Sequence, residues 1–119
     1  MSNSLLALPE DLRKIYEHID ANKTRYVESL REAVAIKSVS SWPNSRSDVG
    51  KMIDWVAEKL RALGADVQLA ELGNQTLIDG QTLPLPKAIL ATLGNDPTKK
   101  TVCIYGHLDV QETSMDLMV

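Results

Sequence analysis

The hydrophobic period of this chain changes once, at Gly64, and that change limits the folds open to it. Before Gly64 the apolar residues recur at helical spacing; after it they alternate or run together, as in strands. From Pro9, Leu12, Ile15, Tyr16 and Ile19 fall at i, i+3, i+4, i+7, and Tyr26, Val27, Leu30, Ala33 and Val34 continue the stripe. Pro9 suits a first helical turn, and Glu10 and Asp11 complement the positive end of the dipole. His18 falls among the polar positions and reads as a solvated surface residue.

The segment SVSSWPNSRS, residues 38–47, is rich in loop formers. A second amphipathic helix follows, with Val49, Met52, Ile53, Val56, Leu60 and Leu63 on one face and Trp55 at its edge. Ser47 or Asp48 is placed to cap its start, and Gly64 to end it.

Beyond Gly64, Val67 and Leu69 mark a short strand, and Asp79-Gly80 between TLI and QTL signals a hairpin. Pro84 and Pro86 keep LPLP out of a central strand. Residues 88–93 read as the next strand and GNDPTKK as a turn. TVCIYG is then a nearly continuous apolar run, expected to be a strand buried on both faces with Cys103 shielded. The order helix, helix, strands places the chain in the α/β or the α+β class; α/β is the class expected here.

At 119 residues the chain suits one domain, and a net charge of −3 gives no reason to expect nucleic acid or an anionic membrane as partner. Cys103 is the only cysteine, so no intrachain disulfide can form. The N-terminal apolar stretch is too short for a signal peptide, and nothing approaches the roughly 20 apolar residues of a membrane span. A soluble protein of a reducing compartment, the cytoplasm, is expected.

Chemistry concentrates in Gly106-His107-Leu108-Asp109, directly after the apolar run. In an extended backbone His107 and Asp109 share a face, and sites on open α/β sheets form at carboxyl ends of strands. Imidazole is a good zinc ligand, and a metal-bound His usually donates its other N–H to a carboxylate or carbonyl, a role Asp109 could fill. Spacing alone favours the plainer reading, polar contacts at a strand end, because H-x-D is short and common.

Three stretches shift that balance: VAIKSVSSWP, IDGQTLPLP and GNDPTKKTVCIYGHLDVQ. In this order they resemble the dipeptidase branch (carnosinase and cytosolic non-specific dipeptidase) of the aminoacylase/carboxypeptidase-like metallopeptidases. The GHLD core is common to the wider family; the other two stretches point to the branch. The resemblance implies the N-terminal part of a zinc-peptidase-like catalytic domain, with two amphipathic helices packed on an incomplete mixed sheet. It matches His107 to the first metal-ligating histidine and Asp109 to the catalytic-site acid that orients it.

For an intact member the resemblance implies two Zn2+ or Mn2+ ions, a dipeptide substrate, a metal-activated water with a glutamate base, and a homodimer. The bridging aspartate, the base and the remaining ligands lie later in family sequences, as do strands that would flank TVCIYG. Asp116 falls too soon after His107 to stand for the bridging ligand. Residues 1–111 therefore read as a portion of the catalytic domain and 112–119, ETSMDLMV, as a divergent tail of a truncated isoform. Such a chain is expected to bind metal unstably and to be inactive alone. A reading from another class is a non-catalytic interaction module that pairs with a full-length subunit.

Overall fold

The computed structural model describes residues 8–111; the expected tail at 112–119 lies outside the described residues. Two units make up the chain, divided after Ala35.

The first unit holds α1 (Glu10–Ala21) and α2 (Lys23–Val34). One continuous stripe was expected here, yet the helix is interrupted at Asn22, whose φ of −105° and ψ of 9° are not helical. The Asn22 side-chain amide donates to the His18 carbonyl at 2.8 Å, the local competition with the helix backbone for which Asn is known. Pro9 precedes the first turn as its cap residue, one position earlier than the sequence suggests. Glu10 pairs with Lys14 at 2.7 Å, and His18 is exposed.

The second unit is built around α3 (Arg46–Ala62). The helix is entered through a 3-10 turn, Pro43–Ser45, so Ser45 takes the cap position, and no side-chain cap bond forms. The expected capping by Ser47 or Asp48 is thus not seen; Asp48 lies in the first turn and pairs with Lys51 at 2.7 Å. Gly64 ends the helix as expected. Its φ of +89° is a left-handed conformation that favours glycine. The Gly64 N–H donates to the Arg61 carbonyl and the Ala65 N–H to that of Leu60, closing the last turn on itself.

Strands β1 (Asp66–Ala70) and β4 (Ala88–Thr92) pair antiparallel, Val67 against Ala91 and Leu69 against Ile89. Between them β2 (Asn74–Thr76) and β3 (Thr82–Pro84) form a hairpin. Its loop carries Gly80 at φ +83°, and the Asp79 carboxylate accepts the Gln81 N–H at 3.0 Å. Pro84 sits at the end of β3, where no ladder donor is needed. The sheets are thus two antiparallel pairs, with one isolated parallel bridge between Val39 and Val110.

Helix α3 packs against β1 and β4, burying Val49, Met52, Ile53 and Ala57. Val56 and Leu60 are half-buried, and Leu63, expected on this face, is 69% exposed as the helix's cap residue. Ala57, which the hydrophobic pattern did not single out, is 0% exposed. A side chain of one methyl lets the helix backbone come close to its neighbours, and the bulkier residues pack on either side.

The run TVCIYG departs furthest from expectation. Residues 101–106 form no ladder, and Val102, Ile104 and Tyr105 are 81%, 90% and 92% exposed. A two-face-buried strand requires neighbours on both edges and cover above and below; among the described residues no strand pairs with this segment. Cys103 is exposed for the same reason. It should therefore label with a thiol reagent under native conditions as fast as in denaturant, as mass spectrometry of timed samples would show. Slow native labelling would mean that cover forms over residues 101–106.

Candidate metal-ligand site

The chain leaves α2 through two tight turns, with the Ser38 N–H on the Ile36 carbonyl and the Val39 N–H on the Lys37 carbonyl. These swing residues 38–40 alongside 108–110, about seventy positions further on. The Val110 N–H donates to the Ser38 carbonyl at 2.9 Å, and the Ser38 hydroxyl donates to the Leu108 carbonyl at 3.2 Å. Ser38 is fully buried, and its carbonyl and hydroxyl are satisfied by the backbone on either side of Asp109.

Asp109 is then gripped a third time. The Ser40 hydroxyl donates to its Oδ2 at 2.5 Å. That bond holds the Asp109 carboxyl below the usual carboxylate range, with smaller help from the nearby His107. Asp109 is anionic at neutral pH, and with Oδ2 engaged its Oδ1 is the oxygen toward His107.

His107 faces it. Its Nδ1 lies 3.0 Å from the Asp109 backbone carbonyl and 3.4 Å from Oδ1. The second distance is long for a hydrogen bond, so the carbonyl accepts the hydrogen bond from Nδ1 and the carboxylate adds negative charge beside it. With two oxygens around Nδ1 the proton belongs there, and the lone pair lies on Nε2. The imidazole side chain is 76% exposed, so Nε2 is open to an incoming ion.

Sequence reasoning brings His107 and Asp109 together as the structure does, although the strand expected to carry them is absent. Asp109 is the expected acceptor for the ring, and the nearer of its oxygens is the backbone carbonyl. That reasoning attached no role to Ser38 or Ser40. Their presence in VAIKSVSSWP was the available signal, and nothing local in the sequence ties that stretch to GHLD.

One imidazole held this way suits a single metal ligand. Among the described residues no group of three or more His, Cys, Asp or Glu converges on a metal position, whereas a catalytic zinc normally has three protein ligands. A cavity of about 380 Å3 lies between α3 and residues 84–87, but neither His107 nor Asp109 lines it.

The chain is 49% identical over 102 residues to Beta-Ala-His dipeptidase of Rattus norvegicus, a match covering 84% of this chain and 21% of the relative. It is 48% identical over 105 residues to the Homo sapiens enzyme of that name, covering 87% and 21%. To the Cys-Gly metallodipeptidase dug1 of Schizosaccharomyces pombe it is 44% identical over 105 residues, covering 88% and 22%. The chain is a homologue of these dipeptidases.

Solved structures agree. Human carnosine dipeptidase 1 superposes with a TM-score of 0.84 at 44% identity, covering 91% of this chain and 23% of that one. The dipeptidase Dug1p of Saccharomyces cerevisiae gives 0.81 at 35%, covering 98% and 23%. The fold is that of the N-terminal part of such a peptidase domain, and the chain spans about a fifth of the length of its curated relatives. No family model matches it.

Proposed function

We propose that this chain forms the N-terminal part of a metal-dependent dipeptidase, in which His107 supplies a metal ligand and Asp109 orients it. The observation that carries this is the His107 Nδ1 held at 3.0 Å on the Asp109 carbonyl, which leaves Nε2 outward. Homology to enzymes named as dipeptidases gives the reaction class, peptide-bond hydrolysis in a dipeptide.

Zn2+ or Mn2+ suits an imidazole and carboxylate environment. When bound, the metal would polarise the scissile carbonyl and lower the pKa of a water. His107 would donate through Nε2 while its Nδ1–H stays on Asp109, which fixes the tautomer and the direction of the lone pair. Residues 1–111 then belong to the catalytic domain and 112–119 to a divergent tail. The cytoplasm and a homodimer of the intact enzyme complete the reading. No helix among the described residues is long and apolar enough to cross a membrane.

A chimera tests this: residues 8–111 replace the matching segment of a Cys-Gly metallodipeptidase, and Cys-Gly hydrolysis is followed with added zinc or manganese. Activity near that of the parent is expected. The isolated 119-residue chain, in which no group of three or more metal-ligating side chains converges among the described residues, should stay at background. An inactive but folded chimera would refute the reading; metal-dependent turnover by the isolated chain would show that its site is complete.

A second reading, a non-catalytic module that pairs with a full-length subunit, is favoured by the exposed Val102, Ile104 and Tyr105. An exposed apolar segment that joins no ladder among the described residues suits strand addition. Co-purification of the tagged chain with a full-length dipeptidase, lost on Ile104→Lys, would support it. No association at micromolar concentrations would exclude it.

A further inference from the structure

We propose that Ser40 is a positioning residue for the metal site, acting through Asp109 on the tautomer and orientation of the His107 imidazole. The inference rests on His107 being a metal ligand for its purpose, but its geometry stands independently.

Asp109 presents two acceptors to His107, its carbonyl and Oδ1, and both depend on where the residue is held. Ser38 fixes the backbone on either side through the Leu108 carbonyl and the Val110 N–H. Neither contact restrains the carboxylate, whose side chain is 40% exposed and would otherwise turn toward water. The Ser40 hydroxyl supplies the missing restraint. Its bond to Oδ2 leaves Oδ1 as the oxygen toward the ring. A hydroxyl donates one proton, so Ser40 engages one carboxylate oxygen and cannot claim both.

The ring has little else to hold it. His107 is exposed, and its hydrogen bond among the described residues is the one with the Asp109 carbonyl. Ring order therefore depends on Asp109, and the order of the Asp109 carboxylate on Ser40. A metal-ligating His needs its far nitrogen fixed so that the near one offers a lone pair in a set direction. Ser40, sixty-nine positions before Asp109, meets that need from a segment with no metal-binding residue of its own.

The test reads the ring directly, without metal. In the 119-residue chain labelled with 15N-histidine, the imidazole nitrogen shifts of His107 are measured about two pH units above the ordinary imidazole pKa. His107→Gln assigns the signals and leaves His18 as internal reference. The wild-type chain should favour the Nδ1–H tautomer. In Ser40→Ala the ratio of Nδ1–H to Nε2–H should fall roughly fivefold, the effect of one ordinary hydrogen bond. Ser40→Thr, which keeps the hydroxyl, should restore it.

Exchange protection of the Val110 amide separates positioning from simple unfolding, since that amide is bonded to Ser38 and not to Ser40. It should persist in Ser40→Ala. An unchanged ratio in Ser40→Ala would overturn the proposal, as would loss of Val110 protection together with the ratio, which marks a merely structural role. A wild-type chain with no tautomer preference would overturn it too. In the chimera, zinc affinity measured by competition should drop ~10–100-fold with Ser40→Ala. If His107→Ala left that affinity unchanged, the ligand reading would fail while the tautomer shift in the isolated chain still stood.

Discussion

Replacing His107 with alanine in the chimera is expected to bring dipeptide hydrolysis to background and to release one metal equivalent. The ring offers its Nε2 outward while Nδ1 is tied to Asp109 at 3.0 Å, so alanine removes both the donor and the group that Asp109 serves. A zinc site with one ligand fewer falls below the three protein ligands usual for catalysis. Asp109→Asn should be milder. It keeps the backbone carbonyl that accepts from Nδ1 and removes the negative charge, so the rate should fall ~10–100-fold with metal largely retained. Metal content by mass spectrometry and initial rates with Cys-Gly check both. Normal metal content and rate in His107→Ala would exclude it as a ligand.

The second large effect is in the core of the second unit. Ile53 is 5% exposed, one turn before Ala57 on the face of α3 that packs on β1 and β4. Ile53→Ala should destabilise the unit by ~2–5 kcal/mol, because the cavity it leaves collapses only in part. Against a typical domain stability of ~5–15 kcal/mol that is a large fraction. Leu60→Ala, at a half-buried position, should cost clearly less. Urea denaturation followed by far-ultraviolet circular dichroism ranks the two. Equal midpoints for the two variants would mean that α3 packs by a different face.

Much of the second unit could be read from local pattern. Val49, Met52 and Ile53 follow the 3.6-residue period, and Gly64 stops the helix through the left-handed conformation at its end. The Asp79-Gly80 turn and the strand from Ala88 were equally visible, since turn chemistry and alternation act over a few residues. The break at Asn22 was not, because the apolar stripe runs on across it and the competing bond from the Asn22 amide to His18 carries no mark in that stripe. Ala57 was missed because a small residue adds little to a hydrophobic pattern, although it marks the closest packing.

The candidate site divides in the same way. The H-x-D spacing and the stretches around it mark His107 and Asp109 in the sequence, and a two-residue separation sets their mutual reach. By itself the sequence determined the mix of helices and strands, most of the apolar face of α3, its stop at Gly64, and the pairing of His107 with Asp109. Each depends on periodicity or on contacts a few residues apart. The tertiary structure alone decided that Ser38 and Ser40 clasp Asp109 across about seventy residues, and that TVCIYG, apolar enough for a core strand, is exposed here. Burial and long-range hydrogen bonds are properties of neighbours, and a segment's own residues do not specify which neighbours it meets.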